Sequence, residues 1–159
     1  MPMYTHTGDL LAHVHSGIII HGCNAMGVMG SGFAAQVKEK WPKVFNEYSH
    51  KKRNYGLNVG EINFTRVEPM EDNMLMIVNA ITQKDYGRDK DKVYVDYDGV
   101  ARAFRRTSDL CREYGIGDMH FPMIGAGLAN GDWGKIQEII ESSVNTGIRK
   151  HLWVLPESK

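Results

Sequence analysis

The chain has 159 residues, with 19 Lys+Arg against 19 Asp+Glu and a formal net charge of zero. A length of this order fits one domain over residues 1–159, with enough buried surface to hold a core without disulfide staples. The charge balance argues against a protein that grips nucleic acid by neutralising phosphates, yet it leaves room for a small anion held by backbone N–H groups. The two cysteines, Cys23 and Cys111, stand alone, outside any CxxC or Cys/His cluster of zinc spacing, so neither a metal nor a cofactor is expected. Lone cysteines suit a reducing cytosol. Met1–Leu11 has no basic region and no long apolar run, and Gly17–Ile20 is far too short to span a bilayer. A cytoplasmic monomer with no membrane contact is the expectation.

Met3–Thr7 reads as a short first strand ending at Gly8-Asp9. Gly17–His21 is a compact run of β-branched residues, the mark of a strand buried on both faces. A glycine-rich loop, Gly22–Gly32, follows at once. The helix after it carries Phe33, Val37 and Trp41 at i, i+4 and i+8, and Pro42 ends it. A second short helix is read over Val44–His50, then a polar turn over Lys51–Asn58. Glu61–Val67 alternates as a half-exposed strand, and Met74–Val78 is another continuous apolar strand. Thr82–Asp91 is highly charged, contains Gly87, and reads as a mobile loop. Val100, Phe104, Thr107, Cys111 and Tyr114 mark one face of a long helix closed by Gly115. Met119–Met123 is a short strand, followed by a second glycine-rich loop, Ile124–Gly131. Asp132 caps a helix carrying Trp133, Ile136, Ile139, Ile140 and Val144, which Gly147 closes. His151–Leu155 is the last strand. The alternation predicts an α/β sandwich, with both glycine loops on one rim at the carboxyl ends of the strands.

In the first loop, Gly30 and Gly32 bracket Ser31 just before a helix. Glycines let backbone approach a ligand closely, and the helix N-terminus offers free N–H groups to a phosphate. The spacing is neither the Rossmann GxGxxG nor a Walker A loop. By itself the segment is equally a glycine-rich turn with no ligand. The second loop, Met123–Trp133, repeats the same strand, glycines and capped helix. Two such loops on one rim can clamp a pyrophosphate from both sides.

With these motifs in order, the chain resembles the macro domain family. The resemblance rests on Gly8-Asp9-Leu10, Ile20-His21-Gly22-Cys23-Asn24, Met29-Gly-Ser-Gly-Phe-Ala34, Asn79-Ala-Ile-Thr-Gln83 and Pro122-Met-Ile-Gly-Ala-Gly-Leu128 with Asp132-Trp133. It is similar to the branch that holds ADP-ribose 1″-phosphate phosphatases, terminal ADP-ribose protein hydrolases and DNA de-ADP-ribosylating antitoxins. The resemblance implies a three-layer α/β/α fold with a mixed, mostly parallel sheet, and ADP-ribose or ADP-ribose 1″-phosphate as ligand. It implies that Asp9 accepts from the adenine amino group beside the Leu10 N–H, and that Asn24 touches the distal ribose. Gly30, Ser31, Gly32 and Phe33 would form the first phosphate loop, and Gly125, Ala126, Gly127 and Leu128 the second. Thr82 and Gln83 close the central strand at the same rim.

His21 falls where phosphatase-like members have a histidine proposed as catalytic. An imidazole beside a 1″-phosphate suits nucleophilic or acid/base chemistry. A buried neutral histidine bonded to a backbone carbonyl is the competing reading. Terminal ADP-ribose hydrolases have a lysine where this chain has Gln83, with Lys84 one place later, and an aspartate where it has Ala129, with Asp132 three places on. The Asn of the N-A-A-N motif falls at Gly27. The favoured expectation is phosphate removal from ADP-ribose 1″-phosphate, with His21 and Asp132 as acid/base groups. The alternatives are release of ADP-ribose from an ADP-ribosylated protein or nucleic acid, in which Lys84 would act, and a non-enzymatic ADP-ribose binder.

Overall fold

The structure is a computed structural model that describes residues 3–67 and 74–156. Among them, six strands form one sheet in the order β1-β6-β5-β2-β4-β3. The strands are β1 (Tyr4–Thr7), β2 (Gly17–Asn24), β3 (Ile62–Val67), β4 (Leu75–Gln83), β5 (Asp118–Phe121) and β6 (Arg149–Val154). Every neighbouring pair is parallel except β3 against β4. The helices are α1 (Leu10–His13), α2 (Gly32–Lys40), α3 (Pro42–Tyr55), α4 (Tyr97–Tyr114) and α5 (Trp133–Ser143).

The apolar run in β2 divides between two cores because successive side chains point to opposite faces. Ile18 and Ile20 pack with Phe104 and Val100 of α4 and with Ile136 and Ile140 of α5. Ile19 and Cys23 pack on the other face with Val37 of α2 and Val44 and Tyr48 of α3. Three α/β/α layers result. On the β1–β6–β5 half, His6, His120 and His151 stack with Trp153, and Arg149 holds Asp118 in a two-pronged ion pair. No helix among the described residues is long and apolar enough to cross a membrane.

Several elements depart from the sequence expectation, each for a local reason. Asp9 accepts from Leu11 N–H and so nucleates α1, a single turn too short to show a periodic pattern. Pro42 opens α3 as well as following α2, because a proline at the first helical position lacks only an N–H that would have no partner there. α3 then runs through Tyr55, so Lys51–Tyr55 is helix rather than turn. β4 continues to Gln83, which moves Thr82 and Gln83 out of the charged loop and into the sheet. α5 stops at Ser143 with Val144 as its C-cap, and Gly147 lies in the turn beyond, its N–H bonded to the Asn145 side chain. Asp132 does cap α5, and Gly115, at φ 66°, does close α4.

Candidate functional site

A cleft of about 640 Å³ opens at the carboxyl ends of β2, β4 and β5. That volume lies within the range of small-molecule and cofactor sites. Both glycine loops line it: Gly30, Ser31, Gly32 and Phe33 from one side, and Gly125, Gly127 and Leu128 from the other. His21, Asn24 and Gln83 lie at its base, at adjacent strand ends, and Tyr86, Gly87 and Arg88 form a further wall.

The first loop is organised by Asn24. Its Oδ1 accepts from the N–H groups of Met26 (3.1 Å) and Val28 (3.2 Å), and its Nδ2 donates to Val28 O (2.9 Å). Tyr48 of α3 adds its hydroxyl, which donates to Asn24 Oδ1 (3.1 Å) and to the Asn24 carbonyl. Burial pushes the Tyr48 phenol far above its ordinary range, so it stays a donor. Asn24 therefore spends its side chain on shaping the loop. The N–H groups of Gly30, Ser31, Gly32 and Phe33, which follow, have no backbone partner among the described residues. Ser31 is the N-cap of α2, but its hydroxyl makes no capping bond. The result is a nine-residue helix with its positive end open to the cleft. We expect Tyr48→Phe to cost about 1–2 kcal/mol, because it leaves the buried Asn24 carbonyl without that donor. A thermal melt should fall by roughly 2–4 °C per kcal/mol.

The second loop is a tight coil. Gly131 N–H donates to Gly125 O (2.6 Å), Asn130 N–H to Gly127 O (3.0 Å), and Ala126 N–H to Met123 O (3.3 Å). Gly125, at φ 76°, takes a conformation that other residues rarely adopt. The N–H groups of Gly125, Gly127 and Leu128 have no backbone partner among the described residues. Two loops with unpaired amides thus line one cleft, an arrangement able to hold an anion from both sides.

His21 lies between them at 1% exposure. Its Nε2 is 2.7 Å from Asn79 Oδ1, and Asn79 Nδ2 donates to Asn63 Oδ1 (3.1 Å). That chain orients the Asn79 amide, so Nε2 carries the imidazole hydrogen and Nδ1 keeps its lone pair. The Phe33 ring lies against the imidazole, with centroids 5.5 Å apart. Burial pushes the His21 pKa down to about 4, with the Asn79 hydrogen bond opposing. His21 is neutral at pH 7, so it can accept a proton there but has none to give as an imidazolium. The hydrogen bond to a side-chain amide replaces the backbone-carbonyl partner of the competing reading. Cys23 is also buried, and its thiol pKa is pushed strongly up, which leaves it unreactive beside His21.

The other residues singled out in the sequence lie elsewhere. Asp9 is exposed and Leu10 buried at α1, and neither lines the cleft. Ala126 is in the second loop but off the lining, with its N–H already used. Lys84 is exposed and off the lining. Asp132 is exposed, its Oδ1 accepting from Lys135 N–H (3.4 Å) and its own N–H donating to the Tyr97 hydroxyl (3.0 Å), so its carboxylate serves the helix end. Thr82 is wholly buried behind Gly22, and its Oγ1 has no hydrogen-bond partner. Sequence reasoning missed Tyr48 and Asn63 and, though it quoted Asn79 within a motif, gave it no role; all three act through residues that it did find. Among the described residues, no group of three or more His, Cys, Asp or Glu side chains could hold a metal ion.

Comparison with known proteins agrees with this geometry. The Macro domain family model matches residues 20–140. A DNA ADP-ribosyl glycohydrolase of Mycobacterium tuberculosis is 26% identical over 137 residues; the match takes in 86% of this chain but only 37% of the mycobacterial protein. An ADP-ribose 1″-phosphate phosphatase of Candida albicans is 29% identical over 150 residues, covering 87% of this chain and 91% of its own. A solved Bacteroides thetaiotaomicron structure superposes with a TM-score of 0.84 at 28% identity, over 96% of this chain and 98% of that one. The chain belongs to the macro domain family.

Proposed function

We propose that the protein binds ADP-ribose in this cleft and removes the phosphate from ADP-ribose 1″-phosphate. The observation that carries the proposal is the buried His21 at the base of the cleft, between two glycine loops carrying amides without a backbone partner among the described residues. In this reading the diphosphate lies between Gly30–Phe33 and Gly125–Leu128, and Phe33 flanks the distal ribose. Asp9 and the Leu10 N–H read adenine at the far end of the rim. Thr82, unpartnered behind Gly22, and Gln83 support the floor under the distal ribose. His21 Nδ1 takes a proton from water as that water attacks phosphorus. The P–O bond to the anomeric oxygen breaks, that oxygen takes back the proton held on His21 Nδ1, and ADP-ribose and inorganic phosphate are released with His21 neutral again. The name and near full-length match of the Candida albicans relative support this reading.

A second reading, release of ADP-ribose from a macromolecule, is supported by the name of the mycobacterial relative. It assigns the chemistry to Lys84, which would have to reach the cleft from outside its lining. One experiment separates the readings. Phosphate release from ADP-ribose 1″-phosphate is followed for wild type, His21→Ala and Lys84→Ala, and ADP-ribose binding is measured by calorimetry. Turnover lost only in His21→Ala is the expected result. Tight ADP-ribose binding with no turnover of that ester would leave a binding module or the second reading. Absence of ADP-ribose binding would overturn both.

A further inference from the structure

The loop between β4 and α4 brings a cation to the cleft that neither glycine loop supplies. Arg88 lines the cleft beside Tyr86 and Gly87, exposed, and forms no ion pair among the described residues. Of the nearby carboxylates, Asp85 pairs with Lys92 (3.3 Å) and Asp89 Oδ1 accepts from Asp91 N–H (2.9 Å), and none among the described residues forms a salt bridge with Arg88. Although it reads from sequence as mobile, the segment is fastened at several points. Gln83 Nε2 donates to Asp85 O (2.8 Å), and Asn130 Nδ2 reaches the carbonyls of Asp89 (2.9 Å) and Lys92 (2.8 Å). Tyr94 packs so closely on Gly87 that any Cβ there would meet its hydroxyl at 2.2 Å. The loop is thereby built to present Arg88 at a fixed place on the rim.

The sheet order shows which place that is. Asp9 and α1 follow β1, and the Arg88 loop follows β4, four strands away in the order β1-β6-β5-β2-β4. At the spacing of paired strands this is roughly 19 Å. A ligand with adenine at Asp9 and its diphosphate between the glycine loops ends, beyond the distal ribose, at Arg88. Resting on the ADP-ribose reading of the cleft, we propose that Arg88 is the specificity-determining residue for a dianionic group on the distal ribose, here the 1″-phosphate. A planar guanidinium matches two phosphate oxygens at once. Product ADP-ribose carries a neutral hydroxyl at that position, so Arg88 favours substrate over product.

The test compares wild type, Arg88→Ala and Arg88→Lys, with KM for ADP-ribose 1″-phosphate and the calorimetric Kd for ADP-ribose as readouts. Arg88→Ala should raise KM about 10–100-fold, the range of a lost charge-assisted hydrogen bond, while Kd for ADP-ribose stays within about twofold. Arg88→Lys, which keeps charge but not the fork, should fall between. Raised salt should increase KM for wild type and do so less for Arg88→Ala. Equal losses for both ligands, or no change in KM, would overturn the proposal while leaving the hydrolytic reading intact. If wild type binds ADP-ribose without turnover, the Kd for the 1″-phosphate replaces KM. A tenfold preference abolished in Arg88→Ala then upholds Arg88 and sinks only the hydrolysis, and no preference overturns the proposal.

Discussion

His21→Ala should lower kcat/KM for ADP-ribose 1″-phosphate by roughly 10²–10⁴, the range of a lost general base, with ADP-ribose affinity changed only a few-fold. The pH profile carries more information than the loss. A base with an ordinary histidine pKa would give an acid limb near pH 6.5. Burial puts His21 at about 4, so wild-type kcat at saturating ester should stay level from pH 8 down to about 6 and fall only as pH approaches 4. An acid limb near 6.5 in kcat at saturating ester, where ionisation of the free phosphate at about pH 6 does not enter, would exclude His21, as it sits here, from the proton-transfer step. The same shift makes the fold acid-sensitive. The folded pKa lies below the unfolded value of 6.5, so above that pH both states are neutral and His21 contributes no pH dependence. Between 6.5 and 4 the unfolded chain binds a proton that the native state refuses, and stability falls by up to about 3 kcal/mol. His120, also lowered to about 4 by burial, adds in the same direction. Urea unfolding at pH 7, 6 and 5 should show the decline, and His21→Gln, which keeps a donor for Asn79, should flatten part of it.

Gly131→Ala should damage both stability and binding. A Cβ at Gly131 would lie 2.5 Å from Gly125 O, 2.6 Å from Val95 Cγ1 and 2.9 Å from Ile136 Cδ1. The carbonyl is backbone and is the acceptor of the Gly131 N–H, so it cannot move aside without opening the loop. Overpacking of this kind costs about 1–3 kcal/mol, a fall of roughly 2–12 °C in Tm. The displaced turn carries the free amides of Gly125, Gly127 and Leu128, and ADP-ribose affinity should drop at least about tenfold. Gly127→Ala is the control, because a Cβ there meets nothing within 4 Å. Its Tm should stay within about 2 °C of wild type, since a surface substitution away from such contacts is worth about 0.5 kcal/mol. Equal melting of the two variants would show that packing at Gly131 does not hold the loop.

The parts of the site legible in sequence are those that one segment determines alone. Gly30, Gly32, Gly125 and Gly127 stand at strand–helix junctions, where glycine permits close approach, and their place on one rim follows from the α/β alternation. Asp132 is readable as a cap because a cap is a local event. Its distance from the cleft is not readable, since that depends on how α5 packs against α4. Asn24 illustrates the same limit. Its position at the end of β2 marks it as a site residue, but its work in folding Met26–Val28 depends on Tyr48, 24 residues away on a helix that Pro42 begins. The Asn79–Asn63 chain behind His21 depends on the antiparallel register of β3 on β4, which pairs those two residues.

The position of β1 has a consequence for how tightly each half of the ligand is gripped. β2 and β4 share an eight-pair ladder in the middle of the sheet, while β1 is a four-residue edge strand held by β6 alone. Local opening events start at such edges and cost far less than global unfolding. In the proposed binding mode the diphosphate and distal ribose therefore rest on the long β2–β4 ladder, and adenine beside a short edge strand. In that mode, opening of the β1 edge would loosen the adenine contacts while leaving both glycine loops seated on their ladder. Ribose phosphates lacking the base should consequently lose less affinity than their missing contact area implies, because the contacts they forgo are those on the edge that opens first.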